Sequence, residues 1–297
     1  MAPLRVATRG SALARWQAER VVALLTTLDG VEADLVVVET TGDRRADAPI
    51  HEIGGTGVFV KEVQEAVLDG RADIAVHSAK DLPALTPDGL VLAAVPERAD
   101  PRDALVGATL AALPTGAMVA TGSVRRRAQL AALRPDLGFA ELRGNMHTRL
   151  EKADGFDAIV VAAAALDRLG LEGRIAERLD PTVMLPQVAQ GALAVECRGD
   201  DDPTRAALAT IDDTDVRRAV DAERAFLARL GGGCSMPVGA LAAVVGPLVE
   251  IEALFAAPDG RWVRRAHAAD ADPAVAGRSV ADTLLATVDE IEQEVTT

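Results

Sequence analysis

The chain contains no tyrosine, so no phenol is available as a catalytic acid, and aromatic side chains make up only 2% of its 297 residues. Cysteine is nearly as scarce. Cys197 and Cys234 are too few for a disulfide framework. No export signal is expected either, because Arg5 and Arg9 interrupt what would be its apolar stretch. Both thiols are therefore expected reduced, in the cytoplasm. Four scattered histidines and no paired cysteine spacing leave no zinc site, and no metal is expected. No apolar run nears the ~18 residues of a membrane span; the longest, Ala158 to Leu166, has nine. Positive charge is in deficit as well. With 45 acidic against 31 basic side chains the net charge is −14, which argues against a nucleic-acid binder. Lysine occurs only at positions 61, 80 and 152, so the cations are nearly all arginine. Arginine suits bidentate carboxylate recognition, although genomic base bias also enriches it alongside alanine.

What is present is a core-forming chain, 49% hydrophobic, long enough for two or three domains. Short apolar runs at 4–8, 34–39, 73–77 and 90–95 read as strands, with helices from Ser11 and over 59–68. This alternation predicts an α/β unit with a largely parallel sheet. PERADPR at 96–102 has the composition of an exposed crossover. A second round follows, with strands at 118–121, 139–142 and 157–161 feeding helices from Ser123, from Asn145 and up to Gly170. After Pro181 and Pro186 come a strand at 192–196, helices near 203–211 and 215–230, and three alternating segments near 238–245, 248–256 and 261–268. A closing helix over 274–295 completes a small α+β domain.

Three strand-to-helix junctions offer anion sites: Thr8-Arg9-Gly10-Ser11, Thr121-Gly122-Ser123-Val124-Arg125-Arg126 and Arg143-Gly144-Asn145. Free N–H groups and the helix dipole favour a carboxylate there, although Ser11, Ser123 and Asn145 also read as ordinary N-caps beside solvated arginines. In the Arg125-Arg126-Arg127 run, residues about 100° apart cannot all face one ligand, so Arg127 is assigned to solvent. Lys80 and Asp81 follow a buried strand at its carboxyl end, where ligands collect in open α/β sheets. Asp81 reads either as a turn residue or as a general acid/base able to stabilise a cation, with Lys80 binding an anion beside it. Cys234, after Gly231-Gly232-Gly233, is a thiol on a turn, in contrast to Cys197 within a strand. Covalent attachment at Cys234, a Cys-dependent hydrolase or acyl transferase, and a two-lobed polycarboxylate-binding protein with an incidental cysteine all stand open on these residues.

The motifs together resemble the porphobilinogen deaminase (hydroxymethylbilane synthase) family, from Leu4 to about Gly239. They are ATRGS at 7–11, TGD at 41–43, ADIAVHSAKDLP at 72–83, ERADPRDAL at 97–105, GSVRRRAQL at 122–130, LRGNMHTRL at 142–150, LDRLGL at 166–171, LPQVAQGALAVECR at 185–198 and GGGCSMPVG at 231–239. The resemblance implies head-to-tail joining of four porphobilinogens with loss of ammonia, followed by hydrolytic release of hydroxymethylbilane for tetrapyrrole (haem) synthesis. It also implies a dipyrromethane primer held by a thioether on Cys234. Asp81 maps to the family's catalytic aspartate and Asp43 to a supporting carboxylate. Each porphobilinogen bears an acetate and a propionate. Arg9, Ser11, Lys80, Thr121, Ser123, Arg125, Arg126, Arg143, Gly144, Arg149 and Arg168 are the implied partners of these groups, with Gln17 and Phe59 lining the same cleft.

The implied fold is two periplasmic-binding-protein-like α/β lobes plus a small α+β C-terminal domain. Domain one takes 1–96 and 192–211, domain two 102–187 and domain three 215–297. The implied partners are porphobilinogen and the growing polypyrrole chain, on a monomer that hands its product to the next tetrapyrrole enzyme, with no nucleic acid or membrane. The sequence departs from the family at Gly54-Gly55-Thr56-Gly57, where a lysine is usual, and near Glu52, where another basic residue is usual. The loop is therefore expected to make fewer direct carboxylate contacts.

Overall fold

The computed structural model describes residues 3–44, 57, 59–231 and 236–296. The first lobe begins with β1 (Leu4–Arg9), α1 (Ala12–Asp29), β2 (Ala33–Val38) and a short α2 (Thr41–Arg44), then α3 (Lys61–Leu68), β3 (Ile74–Ser78) and β4 (Leu90–Ala94). Local chemistry sets the limits of α1. Ser11 accepts from the Ala14 N–H at its start. Gly30, at φ 64°, donates its N–H to Thr26 O at its end while Val31 N–H reaches Leu25 O, a left-handed stop. The second lobe contains β5 (Asp103–Val106), β6 (Met118–Ala120), α4 (Val124–Leu133), β7 (Gly138–Ala140), α5 (Met146–Lys152), β8 (Ala158–Ala162), α6 (Ala163–Arg168) and β9 (Glu177–Arg178). The chain then returns through β10 (Leu193–Arg198) and α7 (Asp202–Ala209). It ends with α8 (Thr214–Arg229), β11 (Val238–Val245), β12 (Leu248–Ala256), β13 (Val263–Asp270) and α9 (Pro273–Thr296).

The strand orders are β2-β1-β3-β10-β4 and β7-β6-β8-β5-β9, with β11-β12-β13 as a separate antiparallel sheet packed against α8 and α9. Each lobe's sheet is largely parallel, as expected, with four strands pointing one way and one interior strand reversed. β1 runs parallel to β2 and β3, but β10 is antiparallel to both β3 and β4. In the second lobe β6 is parallel to β7 and β8, while β5 opposes β8 and β9. The cause is topological: β5 and β10 are the strands that follow the two crossings between lobes. Each enters its sheet from the hinge, opposite to the strands that run towards it. β5 itself was not expected from sequence, and β13 lies two residues later than its alternation suggested.

The third sheet does not stand apart from the lobes. Its core, built on Phe226, Val220, Ile251 and Leu284, continues through Val188 and Ala189 of the return crossover to Ala79 and Leu82, which flank Lys80 and Asp81. One buried carboxylate joins the same parts. Glu223 of α8 pairs with Arg98 of the first crossover (Nη1–Oε1 2.6 Å) and accepts from the N–H groups of Ala189 (2.6 Å) and Ala242 (2.8 Å). Gly191 completes the return crossover at φ 88°, where a side chain would collide with the Ala99 carbonyl.

Candidate active site

β3 ends at Ser78, and a single 3-10 turn, Ala79–Asp81, presents Lys80 and Asp81 at the carboxyl end of the sheet. Behind them Gln17, buried on α1, donates from Nε2 to Ser78 Oγ at 2.7 Å, tying the helix to the strand end. Arg9 leaves β1 with its guanidinium 4.3 Å over the Phe59 ring, and Ser11 serves as the α1 cap. From the second lobe, Thr121 Oγ1 accepts from the Ser123 N–H (3.2 Å), and Ser123 Oγ caps α4 by accepting from the Arg126 N–H. Asn145 caps α5 in the same way. Gly144 lies at φ 112°, where a side chain would strike Thr148, and its carbonyl accepts from Arg149 Nε at 2.8 Å.

Arg125 and Arg126 turn inward and Arg127 is exposed, as the helical period requires. Both inward guanidiniums converge on Asp103, the fully buried first residue of β5. Arg125 Nη1 lies 2.7 Å from Oδ2, while Arg126 Nε and Nη2 donate to Oδ1 at 3.0 and 2.8 Å. Arg125 Nη1 also reaches Leu185 O, and Arg126 Nη1 reaches Val160 O. Burial alone would raise the Asp103 carboxyl, but Arg125 and Arg126 hold it well below the usual carboxylate range. Sequence reasoning missed Asp103, because the short strand it opens, DALV, was not itself expected and a carboxylate ahead of three apolar residues reads as a loop residue.

Electrostatics shows which of the expected residues share one environment. Burial, with help from Arg126 and Arg125, pushes the Lys80 ammonium down to about 8 against the opposing pull of Asp81 and Asp103. Arg149 is lowered to about 10 by burial, Arg126 and Arg143, again against Asp81. Lys80, Asp81, Arg125, Arg126, Arg143 and Arg149 thus form one cluster with cations in excess. Arg143 has a further partner in Glu141, 3.4 Å away on the exposed rim. Arg168 stands apart, donating from Nη2 to Gly191 O at 2.6 Å with its guanidinium 5.5 Å from the Trp16 ring. Its electrostatic neighbours are Glu97 and Asp167. Cys197 is the buried strand thiol expected, pushed up to about 11 by burial. His77 is buried beside Glu196 (3.2 Å), which also accepts from Gln64.

Cys234 lies outside the described residues, as do Glu52 and Thr56, and for Asp43 only the backbone of α2 is described. That short helix is fastened to α3 by Glu62, whose Oε1 accepts from the Thr41 N–H (2.7 Å) and Oγ1 (2.5 Å). A small pocket, with about 30 Å³ of open space, is lined by Lys80, Ser123, Arg125, Arg224, Leu227 and Met236. Arg224, on α8, was not foreseen as a site residue; burial lowers its basicity. Met236 is the second residue after Cys234, so the chain beside that thiol reaches this cavity. Cationic side chains beside apolar ones suit pyrrole rings bearing acetate and propionate groups, so the residues present fit the implied dipyrromethane. Among the described residues no group of side chains could hold a metal ion, and no helix is long and apolar enough to cross a membrane.

Comparison with known proteins agrees with this chemistry. Residues 4–206 match the family model "Porphobilinogen deaminase, dipyromethane cofactor binding domain", and residues 217–286 match "Porphobilinogen deaminase, C-terminal domain". The chain is 50% identical over 289 residues to a porphobilinogen deaminase of Roseiflexus sp. (strain RS-1), covering 95% of each chain. It is 49% identical over 302 residues to that of Acidothermus cellulolyticus, covering 98% of this chain and 91% of the relative. Among solved structures, a periplasmic substrate-binding protein of an ABC transporter from Coxiella burnetii aligns over 70% of this chain and 91% of its own, with 16% identity and a TM-score of 0.43.

Proposed function

Because the chain belongs to the porphobilinogen deaminase family, we propose that its two lobes condense porphobilinogen at Asp81 while the surrounding cations hold the pyrrole carboxylates. The reaction is the stepwise head-to-tail joining of four porphobilinogens with loss of ammonia, and it ends in release of hydroxymethylbilane for tetrapyrrole synthesis. The observation that carries the assignment of roles is that Asp81, at the carboxyl end of β3, is the carboxylate that acts on both Lys80 and Arg149 within a surplus of positive charge, whereas Asp103 is taken up by Arg125 and Arg126.

The dipyrromethane, when bound, would supply the nucleophilic pyrrole to which the first unit is added, each later unit joining the pyrrole added before it. In our reading Cys234 holds it by a thioether. Lys80, Ser123, Arg125 and Arg126 bind its carboxylates, with Thr121 and Asp43 beside them. Arg9, Ser11, Arg143, Gly144, Arg149 and Arg168 receive those of incoming and already joined units, and Gln17 and Phe59 complete the wall. Asp81 gives a proton to the departing amine of porphobilinogen, stabilises the cationic substrate left behind, and takes up the proton released from the pyrrole carbon after bond formation. A lone carboxylate serves because the charge to be stabilised is positive, while the neighbouring cations keep the anionic arms of the substrate away from it.

The domain limits proposed are 1–96 with 192–211, 102–187 and 215–297, supported by the sheet memberships. The same proposal takes the enzyme as a cytoplasmic monomer that passes its product to the next tetrapyrrole enzyme. A size-exclusion mass near 30.9 kDa is expected, and a dimer would contradict it. The direct test of function is incubation with porphobilinogen, reading ammonia and hydroxymethylbilane, together with the intact mass of the purified enzyme. An excess equal to two pyrrole units, absent in Cys234→Ser, is expected; an unmodified mass in active protein would refute the cofactor role.

A further inference from the structure

Gln190 lies in the return crossover with its side chain fully buried, and none of the roles above uses it. Its Nε2 donates to Asp103 Oδ1 and to Pro101 O, both at 2.8 Å, and its Oε1 accepts from Lys80 Nζ at 3.3 Å. Chemistry sets the orientation of this amide. The carboxylate and the carbonyl only accept, the ammonium only donates, and a flipped amide would oppose like with like on every side. The backbone around it is equally constrained. Arg98 Nε donates to Gln190 O, Glu223 accepts from the preceding N–H, and Ala189 and Gly191 on either side sit at φ 57° and 88°.

We propose that Gln190 is a positioning residue for the condensation. Its amide ties Lys80, the neighbour of Asp81 in the first lobe, to Asp103, the anchor of Arg125 and Arg126 in the second, and so sets the gap between proton transfer and carboxylate binding. The inference rests on the roles proposed above for Asp81 and the arginines. The link to Lys80 is the longest of the three, so rotation about the crossovers breaks it first and releases the two halves of the site from each other. Among the described residues, charged groups that act on Lys80 are Asp81, Asp103, Arg125 and Arg126. Without the Gln190 oxygen, Lys80 loses an acceptor among cations and holds its proton less firmly.

Gln190→Met keeps the length of the side chain and removes both hydrogen-bonding ends. The expected enzyme retains its covalent cofactor by intact mass. Its KM for porphobilinogen rises roughly fivefold or more, and the alkaline limb of kcat/KM moves down by about half a pH unit or more. Partly elongated enzyme should also persist longer by mass spectrometry after a single addition of substrate. Gln190→Asn guards against a variant that fails to fold. It keeps the amide but is one methylene short of spanning Lys80 and Asp103, and the same directions of change are expected. A merely structural amide would lower the melting temperature and leave the pH limb, KM and distribution of intermediates as in the wild type, and that result overturns the proposal. If the wild-type enzyme itself released no ammonia from porphobilinogen, the functional reading would fall and this inference with it. Normal wild-type turnover beside unshifted Gln190 variants would sink this inference alone.

Discussion

At the scale of single residues, Lys80 and Asp81 are sequence neighbours of opposite charge, for which opposite duties are proposed. Replacing Asp81 with alanine should leave the covalent cofactor in place while turnover falls at least roughly 100-fold, the usual size of an acid/base contribution. Intact mass and ammonia release on one sample check both halves. Lys80 carries a second prediction. Its ammonium titrates near 10.5 in the unfolded chain and at about 8 in the folded one. Between those values the unfolded chain binds more protons, so this residue makes the cofactor-free protein more stable as pH rises through that window. Lys80→Met should abolish that rise in urea midpoints compared between about pH 7 and about pH 10. Substrate affinity should move the other way, weakening above about pH 8 as the cation is lost. The inward pair Arg125 and Arg126 and the exposed Arg127 were legible from helical period alone. Their shared anchor was not, because Asp103 lies more than twenty positions away and only the folded chain brings it to them.

Among secondary-structure elements, those whose limits depend on local chemistry were the legible ones. Ser11, Ser123 and Asn145 each open the helix expected of them, since a cap bonds to an N–H three residues on. Strand β5 was hidden by its brevity and by the carboxylate at its head, which reads as a loop residue until its arginines are known. Helix α8 shows how much one side chain can hold: Glu223 joins it to both crossovers and to β11. Removing one partner of a buried, hydrogen-bonded ion pair costs about 3–5 kcal/mol. Glu223→Ala should therefore show a loss of that size in denaturant unfolding, with Nη1 and Nη2 of Arg98 and two backbone N–H groups losing their acceptor. A loss near zero would mean that water or a shift of α8 replaces the carboxylate.

For the molecule as a whole, the two-lobe plan followed from the alternation of strands and helices, but the reversed strands did not, because direction within a sheet depends on where the chain crosses. Charge shows the same separation of scales. The net −14 belongs to the whole chain and favours solubility, while the cleft collects cations whose positions in sequence are scattered. The placement of β10 between β3 and β4 also has a consequence for how the protein is made. Every strand of the second sheet comes from one uninterrupted stretch, Asp103 to Arg178, whereas the first sheet lacks an interior strand until Leu193–Arg198 has been synthesised. At roughly 5–20 residues per second, a nascent chain waits several seconds between β4 and β10. The lobe encoded second is then the first able to close on the ribosome. Nascent chains arrested before Leu193 should accordingly resist protease across the second lobe while the N-terminal hundred residues are still cut. The segment bearing Asp81 would become a finished catalytic surface only after the arginines that serve it are already in place.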